Sequence, residues 1–343
     1  MARSDLVKAL MRSHQQGDDA GFHSAAQELI KDERRKRHDL VAEQLEAILE
    51  EGTRSRRPLQ ISSLRPLPKT RDDLPLLSLE EPRTTFQDLV LPAEALDVLD
   101  GLVDEFRQRS ALRAHGVSPR SSLLLVGPPG CGKSASAEAI AGQLGLPIAR
   151  VQLATIVSSY LGETARNLEQ VFSFLDVGSW VLLFDEFDML GRERSDRADH
   201  GELRRVVAAM LQVVEDHRGD SLFVATSNHP MLLDSAVWRR FDEVIELPPP
   251  DEVARAEILK IKLRSVRAEV DFVAASVQMD GFSAAEVEAV ALDSIRMMVR
   301  QMDKFVSERH VTYGIERGEE RRQIVNNSQV WRPGPAVDSA SSV

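Results

Sequence analysis

Apolar positions follow different spacings along this chain, and the changes between them mark its organisation. From residue 1 to 52 they recur three and four apart: Leu6 and Leu10, then Phe22, Ala26, Leu29 and Ile30 after a Gly-Asp-Asp turn, then Leu40, Val41, Leu45, Ile48 and Leu49. That period predicts a short helical hairpin or three-helix bundle. From 53 to 85 the period disappears. Pro58, Pro66, Pro68, Pro75 and Pro82 stand among arginines. This predicts an extended linker whose leucines are available to dock on a neighbouring surface.

Between 86 and 249 the apolar residues form continuous runs. Ser122–Val126 and Trp180–Phe184 read as strands buried on both faces. Ala135 to Leu144 reads as a helix following the first of them. From 250 to 305 helical spacing returns throughout and predicts a smaller helical lid. From 306 to 343 the chain turns polar and is predicted to be a largely disordered tail, above all at its end, Arg332 to Val343. No internal repeat is visible. No apolar run approaches the roughly 18 residues of a membrane-spanning helix, and the opening Met-Ala-Arg-Ser-Asp has no secretory character.

The first strand ends in Gly127-Pro128-Pro129-Gly130-Cys131-Gly132-Lys133-Ser134. This satisfies the phosphate-binding pattern G-x-x-x-x-G-K-[ST]. Glycines let backbone N–H groups turn inward around phosphates. Lys133 can reach the β- and γ-phosphates, the Ser134 hydroxyl can ligate Mg²⁺, and the helix opening at Ala135 aims its N-terminus at the anion. The second strand ends in Asp185-Glu186-Phe187-Asp188. Acids at the carboxyl end of a parallel strand lie beside such a loop. Asp185 is expected to hold Mg²⁺ through water, and Glu186 to act as general base on the attacking water. ATP and Mg²⁺ are therefore the expected ligands.

Charge and cysteine content narrow the setting. Of 343 residues, 43% are hydrophobic, enough for more than one domain with a sizeable core. The net charge of -11 argues against nucleic-acid binding through bulk charge. The basic run Lys31–Arg37 leaves open a solvated helix face, an acidic protein partner or a nucleic-acid contact. A single cysteine excludes an internal disulfide and fits a reducing cytoplasm.

Further segments line up with these motifs, and from Thr84 to Val299 the chain resembles the AAA clade of the AAA+ ATPases. Phe86-Gln-Asp88-Leu-Val resembles the segment that brackets the adenine. Leu222-Phe-Val-Ala-Thr-Ser-Asn228 resembles the strand whose polar sensor, here Asn228, orients the attacking water. Leu233 to Asp242 resembles the second region of homology. There Arg239 and Arg240 would be arginine fingers reaching into the neighbouring subunit's ATP. A further basic residue is common just after the Phe-Asp pair, but Glu243 and Val244 stand there. Gly281-Phe-Ser-Ala284-Ala285-Glu-Val resembles the start of the last lid helix, whose small residues pack on the adenine, with Ser283 and Glu286 placed for a capping box. Cys131 occupies a position where the family commonly carries Cys or Thr. The resemblance implies a parallel five-stranded α/β domain, a helical lid and a homo-oligomeric ring, with six subunits expected.

Ser158-Ser-Tyr160-Leu161-Gly-Glu-Thr resembles the first pore loop of AAA unfoldases, where an aromatic–aliphatic pair grips a polypeptide. An aromatic face contacts any chain without needing one partner. Core packing of the same two residues is the competing reading. The charged segment 191–200 stands where a second pore loop would lie, or is an ordinary surface loop. The resemblance therefore implies an ATP-driven protein remodeller or unfoldase with a protein client. A nucleotide-gated scaffold and a nucleic-acid-acting ATPase are the alternatives. No HExxH motif and no convincing Ser-His-Asp set accompany these features. The overall layout is similar to small bacterial AAA ATPases paired with a subtilisin-like serine protease in plasmid-incompatibility and phage-defence modules.

Overall fold

The computed structural model describes residues 26, 28–30, 66–157, 163–175, 178–190, 220–233 and 235–330. The chain divides into two units, Met1–Ser63 and Leu64–Val343. In the first unit, Ala26 and Glu28–Ile30 are described; they are helical, and Ile30 is buried. The rest of the expected N-terminal helical module lies outside the described residues.

The second unit opens with strand β1 (Leu77–Glu80) and a 3₁₀ turn at Phe86–Asp88. Helices α1 (Ala93–Arg107) and α2 (Arg109–Ala114) lead into β2 (Ser122–Val126), the phosphate loop and α3 (Lys133–Leu144). Then come β3 (Ile148–Val151), α4 (Leu153–Val157), α5 (Glu163–Leu175) and β4 (Val181–Phe184). Next are β5 (Leu222–Ser227), the short α6 (Ser235–Trp238) and β6 (Glu243–Glu246). The lid holds α7 (Glu252–Leu263), β7 (Ala268–Glu269), α8 (Phe272–Gln278), α9 (Ala284–Arg300), β8 (Val306–Ser307) and α10 (Glu308–Val330).

The sheet runs β1-β3-β4-β5-β2-β6, and its last five strands are mutually parallel. Alternation along the strands builds a core on each face. Leu124, Leu182, Phe184 and Phe223 point to the side covered by Leu168, Val171, Phe172 and Leu175 of α5. Leu123, Leu125, Val181, Leu183 and Val224 point to the side covered by α1 and α3 through Leu99, Leu102, Phe106, Ile140 and Ala141. Burial on both faces is what a continuous apolar run specifies.

The structure adds two elements to stretches read as linker and tail. Residues 77–80 form an edge strand, antiparallel to β3 with Leu77 opposite Val151 and Glu80 opposite Ile148. Leu76 and Leu77 are fully buried there, so for these two leucines the docking surface is the sheet edge itself. The prolines at 75 and 82 flank the strand rather than interrupt it. Residues 308–330, read as part of a polar disordered tail, form a long helix packed on α9. Its inner face is Val311, Gly314, Ile315 and Gly318. A β-carbon on Gly314 would lie 2.6 Å from the Val290 carbonyl oxygen, and one on Gly318 would meet the Phe282 ring at 2.8 Å. Val311 and Ile315 join the lid core and the two glycines allow close approach, an inner face too sparse in apolar residues to mark the sequence as helical.

Candidate nucleotide site

The phosphate loop occupies the gap between the carboxyl end of β2 and the first turn of α3. Gly127 has φ +146°, and a β-carbon there would come within 2.1 Å of the Leu247 carbonyl oxygen, where β6 leaves the sheet. Gly130 (φ +76°) has its carbonyl accepting from the Ala285 N–H at 3.0 Å, and a β-carbon would meet the Ser283 hydroxyl at 2.8 Å. These positions require glycine because backbone and lid approach too closely for a side chain. Lys133 is buried, and its Nζ donates to the carbonyls of Gly127 (2.8 Å) and Pro128 (2.7 Å). Burial pulls its pKa down from the usual lysine range. Cys131 is also buried, which pushes its thiol pKa up and disfavours the reactive thiolate.

The acidic strand end meets the loop directly. The Ser134 hydroxyl donates to both Asp185 carboxylate oxygens, at 2.9 and 3.0 Å. Thr226 on β5 donates to Oδ1 at 2.6 Å, and Arg150 on β3 donates to Oδ2 at 2.7 Å. Glu186 follows in the left-handed region (φ +53°), with its N–H on Thr226 Oγ1 at 3.1 Å and its side chain exposed. A non-glycine residue at positive φ stores strain of about 1–3 kcal/mol, a cost typical of functional positions. Asn228, just beyond β5, is anchored by its own N–H donating to Asp188 Oδ1 at 3.0 Å.

These groups surround a cleft of about 410 Å³. Pro129 to Ala135, Asp185, Glu186 and Asn228 line one wall, with Thr226. Asp88 to Leu91 line a second edge, and Ile258, Lys262, Ala284, Ala285 and Glu288 come from the lid. Asp88 accepts from the Thr85 N–H and hydroxyl, each at 2.8 Å, and from Arg264 of the lid at 2.5 Å. The Thr85 hydrogen bonds and then Arg264 hold its carboxyl below the usual aspartate range.

Several expected residues stand elsewhere. Gly281 does not line the cleft; at φ +72° it turns the chain towards Ser283, which caps α9 in a capping box with Glu286. Gly127 and Pro128 line a hollow on the other side of the loop, with Trp238 and Pro230. Arg239 and Arg240 do not line their own cleft; Arg239 is exposed and Arg240 half-buried at the end of α6. The next residues pin this segment to the sheet. Asp242 accepts from the N–H groups of Ser121 and Ser122 at 2.8 and 3.0 Å. Glu243, standing where a basic residue was expected, pairs with Arg120 at 2.6 Å. Tyr160, Leu161 and segment 191–200 lie outside the described residues. Sequence reasoning missed Arg150, Thr226 and Arg264. The signal for Arg150 was a lone cation inside the apolar run Pro147-Ile-Ala-Arg-Val151.

Mg²⁺ fits the donors present. It prefers hard oxygens, keeps several waters and takes much of its coordination from substrate phosphates. A hydroxyl and a carboxylate already in contact across the loop are such a partial set. Among the described residues no cluster of three His, Cys, Asp or Glu could hold a metal without phosphates.

The parallel sheet, phosphate loop and acidic strand end define a phosphate-loop nucleotide-binding domain. Residues 123–249 match the family described as "ATPase family associated with various cellular activities (AAA)". The chain is 38% identical to the "Uncharacterized AAA family ATPase y4kL" of Sinorhizobium fredii over 324 residues, covering 94% of this chain and 97% of that protein. It is 29% identical to the "Proteasome-activating nucleotidase" of Pyrococcus horikoshii, covering 82% of this chain and 75% of the relative. It is also 29% identical to the "ATP-dependent zinc metalloprotease FtsH 3" of Sphaerobacter thermophilus, covering 76% of this chain and 54% of that protein. The chain belongs to the AAA family of ATPases, and its reaction is ATP hydrolysis. Among the described residues, no helix is long and apolar enough to cross a membrane.

Proposed function

We propose that this chain is one subunit of an ATP-driven homo-oligomeric ring, with six members, that threads or remodels protein clients. One observation carries the ring. Among the described residues lining the cleft, the cations are Lys133 and Lys262, and Lys262 pairs with Glu288 at 3.0 Å. Lys133 alone does not match the charge that develops on a transferring phosphoryl group. Arg239 and Arg240, outside their own cleft, supply that charge to the cleft of the next subunit.

Each residue then has a task. The phosphates displace the carbonyls of Gly127 and Pro128 from Lys133, exchanging neutral acceptors for charged ones. The Ser134 hydroxyl and, through water, the Asp185 carboxylate are the groups that would hold Mg²⁺. Mg²⁺, when bound, neutralises charge on the phosphate oxygens. Asn228 orients the attacking water. Glu186 takes its proton as the oxygen bonds to the γ-phosphorus and the bond from that phosphorus to the ADP oxygen breaks. Asp88 to Leu91, Ala284 and Ala285 contact the base.

The threading reading draws support from the Tyr160–Leu161 pair and from relatives whose names join nucleotide hydrolysis to a proteasome or a protease. A separate protease, of the subtilisin-like class, is the proposed recipient of clients, and residues 1–52 the proposed means of selecting them. The one Ser-His-Asp chain among the described hydrogen bonds has a structural explanation. His310 Nδ1 accepts from the Ser307 N–H at 2.9 Å and also lies 3.0 Å from the Ser307 hydroxyl, closing the first turn of α10, while Nε2 faces Asp303 at 2.9 Å. The test is Tyr160→Ala. Threading predicts basal hydrolysis near that of the parent, with polypeptide-stimulated hydrolysis and client unfolding lost and Tyr160→Phe active in both. A melting temperature and basal rate that fall together would instead indicate core packing. A folded, fully client-active Tyr160→Ala would leave the nucleotide-gated scaffold as the better reading, and stimulation by DNA rather than polypeptide would point to nucleic acid.

A further inference from the structure

Arg150 is the charged residue of the otherwise apolar strand β3, and its partners explain its place. It stands opposite Leu183 in the parallel pairing of β3 with β4, and Asp185 follows two residues later, on the same face. On the other side, Ile148 stands opposite Glu80 of β1, so Glu80 also lies on the diagonal through Arg150. The side chains close that diagonal. Arg150 donates to Asp185 Oδ2 at 2.7 Å, and its Nε lies 3.5 Å from Glu80 Oε1.

The arrangement around Asp185 is asymmetric. Thr226 holds only Oδ1 and Arg150 only Oδ2. Ser134 reaches both oxygens at nearly equal distance, so its hydroxyl sits in front of the carboxylate. Ser134 is the partner that Mg²⁺ and its water would replace, while the two flanks remain held. We propose that Arg150 is a positioning residue: with Thr226 it fixes the plane of the Asp185 carboxylate for the metal-bound water. Through Glu80, strand β1 becomes part of the support of the metal site. This rests on Asp185 acting at the metal, as proposed above.

The opposite effect is physically available. A guanidinium close to a divalent cation repels it, so if charge alone mattered, removing Arg150 would tighten Mg²⁺. Orientation wins where a carboxylate must present one edge to a water, because partners behind a ligand commonly govern metal affinity by about 10–100-fold.

The experiment measures the Mg²⁺ concentration that half-saturates binding of methylanthraniloyl-labelled ADP to the full-length protein, with binding in EDTA as the metal-free reference. Arg150→Ala is expected to raise that concentration about tenfold while leaving binding in EDTA unchanged. Arg150→Lys and Glu80→Gln should give smaller rises. Asp185→Asn should raise it at least as much, and Arg150→Ala added to Asp185→Asn should do nothing more, because the guanidinium acts through that carboxylate. A normal or lower Mg²⁺ requirement in Arg150→Ala, with Asp185→Asn impaired, overturns the inference and leaves the role of Asp185 intact. No change in Asp185→Asn overturns both. Should Arg150→Ala fail to bind labelled ADP in EDTA, the two milder variants decide: a rise supports positioning, and unchanged values refute it.

Discussion

On one wall of the cleft, Lys133 and Ser134 open helix α3, and Asp185, Glu186 and Asn228 stand at the ends of strands whose side chains are almost wholly buried. On the other, Ala284 and Ala285 present methyl groups from a lid with its own separate core around Leu259, Phe282, Val287 and Val290. The first wall is interlocked by charge-assisted bonds, Asp185 alone engaging Ser134, Thr226 and Arg150. The second meets the first through a backbone hydrogen bond, Ala285 N–H to Gly130, and an ion pair, Arg264 with Asp88. Chemistry needs fixed groups, whereas binding and release need a wall that can move. The division of labour predicts that damage on the sheet side stops turnover, while damage on the lid side changes affinity and release.

The largest effect should come from charge that neither wall supplies. Arg239→Ala and Arg240→Ala are expected to bind ATP normally and to lose about 10³–10⁵ in hydrolysis rate at the finger that contacts the phosphate. Mixing either with Lys133→Ala should restore part of the rate once subunits exchange. Exchange without rescue at any ratio would show that the arginines do not act in trans.

Next comes the sheet wall. Glu186→Gln should keep ATP affinity and lose about 10²–10⁴ in turnover, the usual worth of a general base. Lys133→Ala should lose binding itself, since the buried ammonium is the main cation at the phosphates. Equilibrium binding of labelled nucleotide and steady-state phosphate release separate the two variants. Normal turnover in Glu186→Gln would remove it from the base role.

The contrast between the walls also explains what could be read from sequence. Sheet strands, phosphate loop and acidic strand end were legible because continuous apolar runs and fixed motif spacing are local signals. Strand β1 was not, because Leu77–Glu80 becomes a strand only by pairing with β3, some 70 residues away. Helix α10 was missed because Gly314 and Gly318 occupy its inner face, where a periodicity reading expects leucine. Arg150 and Arg264 were missed because their meaning lies in partners on other strands or across the cleft. Glu243 looked like a departure until Arg120 appeared beside it.

A smaller effect is expected where the walls touch. Gly130→Ala places a β-carbon at positive φ and 2.8 Å from the Ser283 hydroxyl. The backbone strain and the displaced lid together should weaken nucleotide binding about tenfold. Turnover at saturating ATP should fall much less. A collapse in saturated turnover with unchanged affinity would mean that this contact belongs to the chemical wall.

The smallest effect should come from the ion pair across the cleft. Arg264 is 63% exposed and Asp88 21%, so solvent screens their attraction. Such pairs contribute about 0.2–1 kcal/mol, so Arg264→Ala should speed ADP release no more than about fivefold. Asp88→Ala should do more, since it also removes the acceptor of Thr85 and loosens the edge of the cleft lined by Asp88 to Leu91. Because the folded carboxyl titrates below its usual range, its contribution is present throughout neutral pH. It is lost only as the pH falls below about 3.9 and on through the folded value. Release rates should therefore be insensitive to pH between roughly 6 and 8 as far as this pair is concerned. Raised salt should speed release in the parent and leave Arg264→Ala unmoved. Stopped-flow chase of labelled ADP measures all of these. Salt sensitivity that persists in Arg264→Ala would place the screened interaction elsewhere in the cleft.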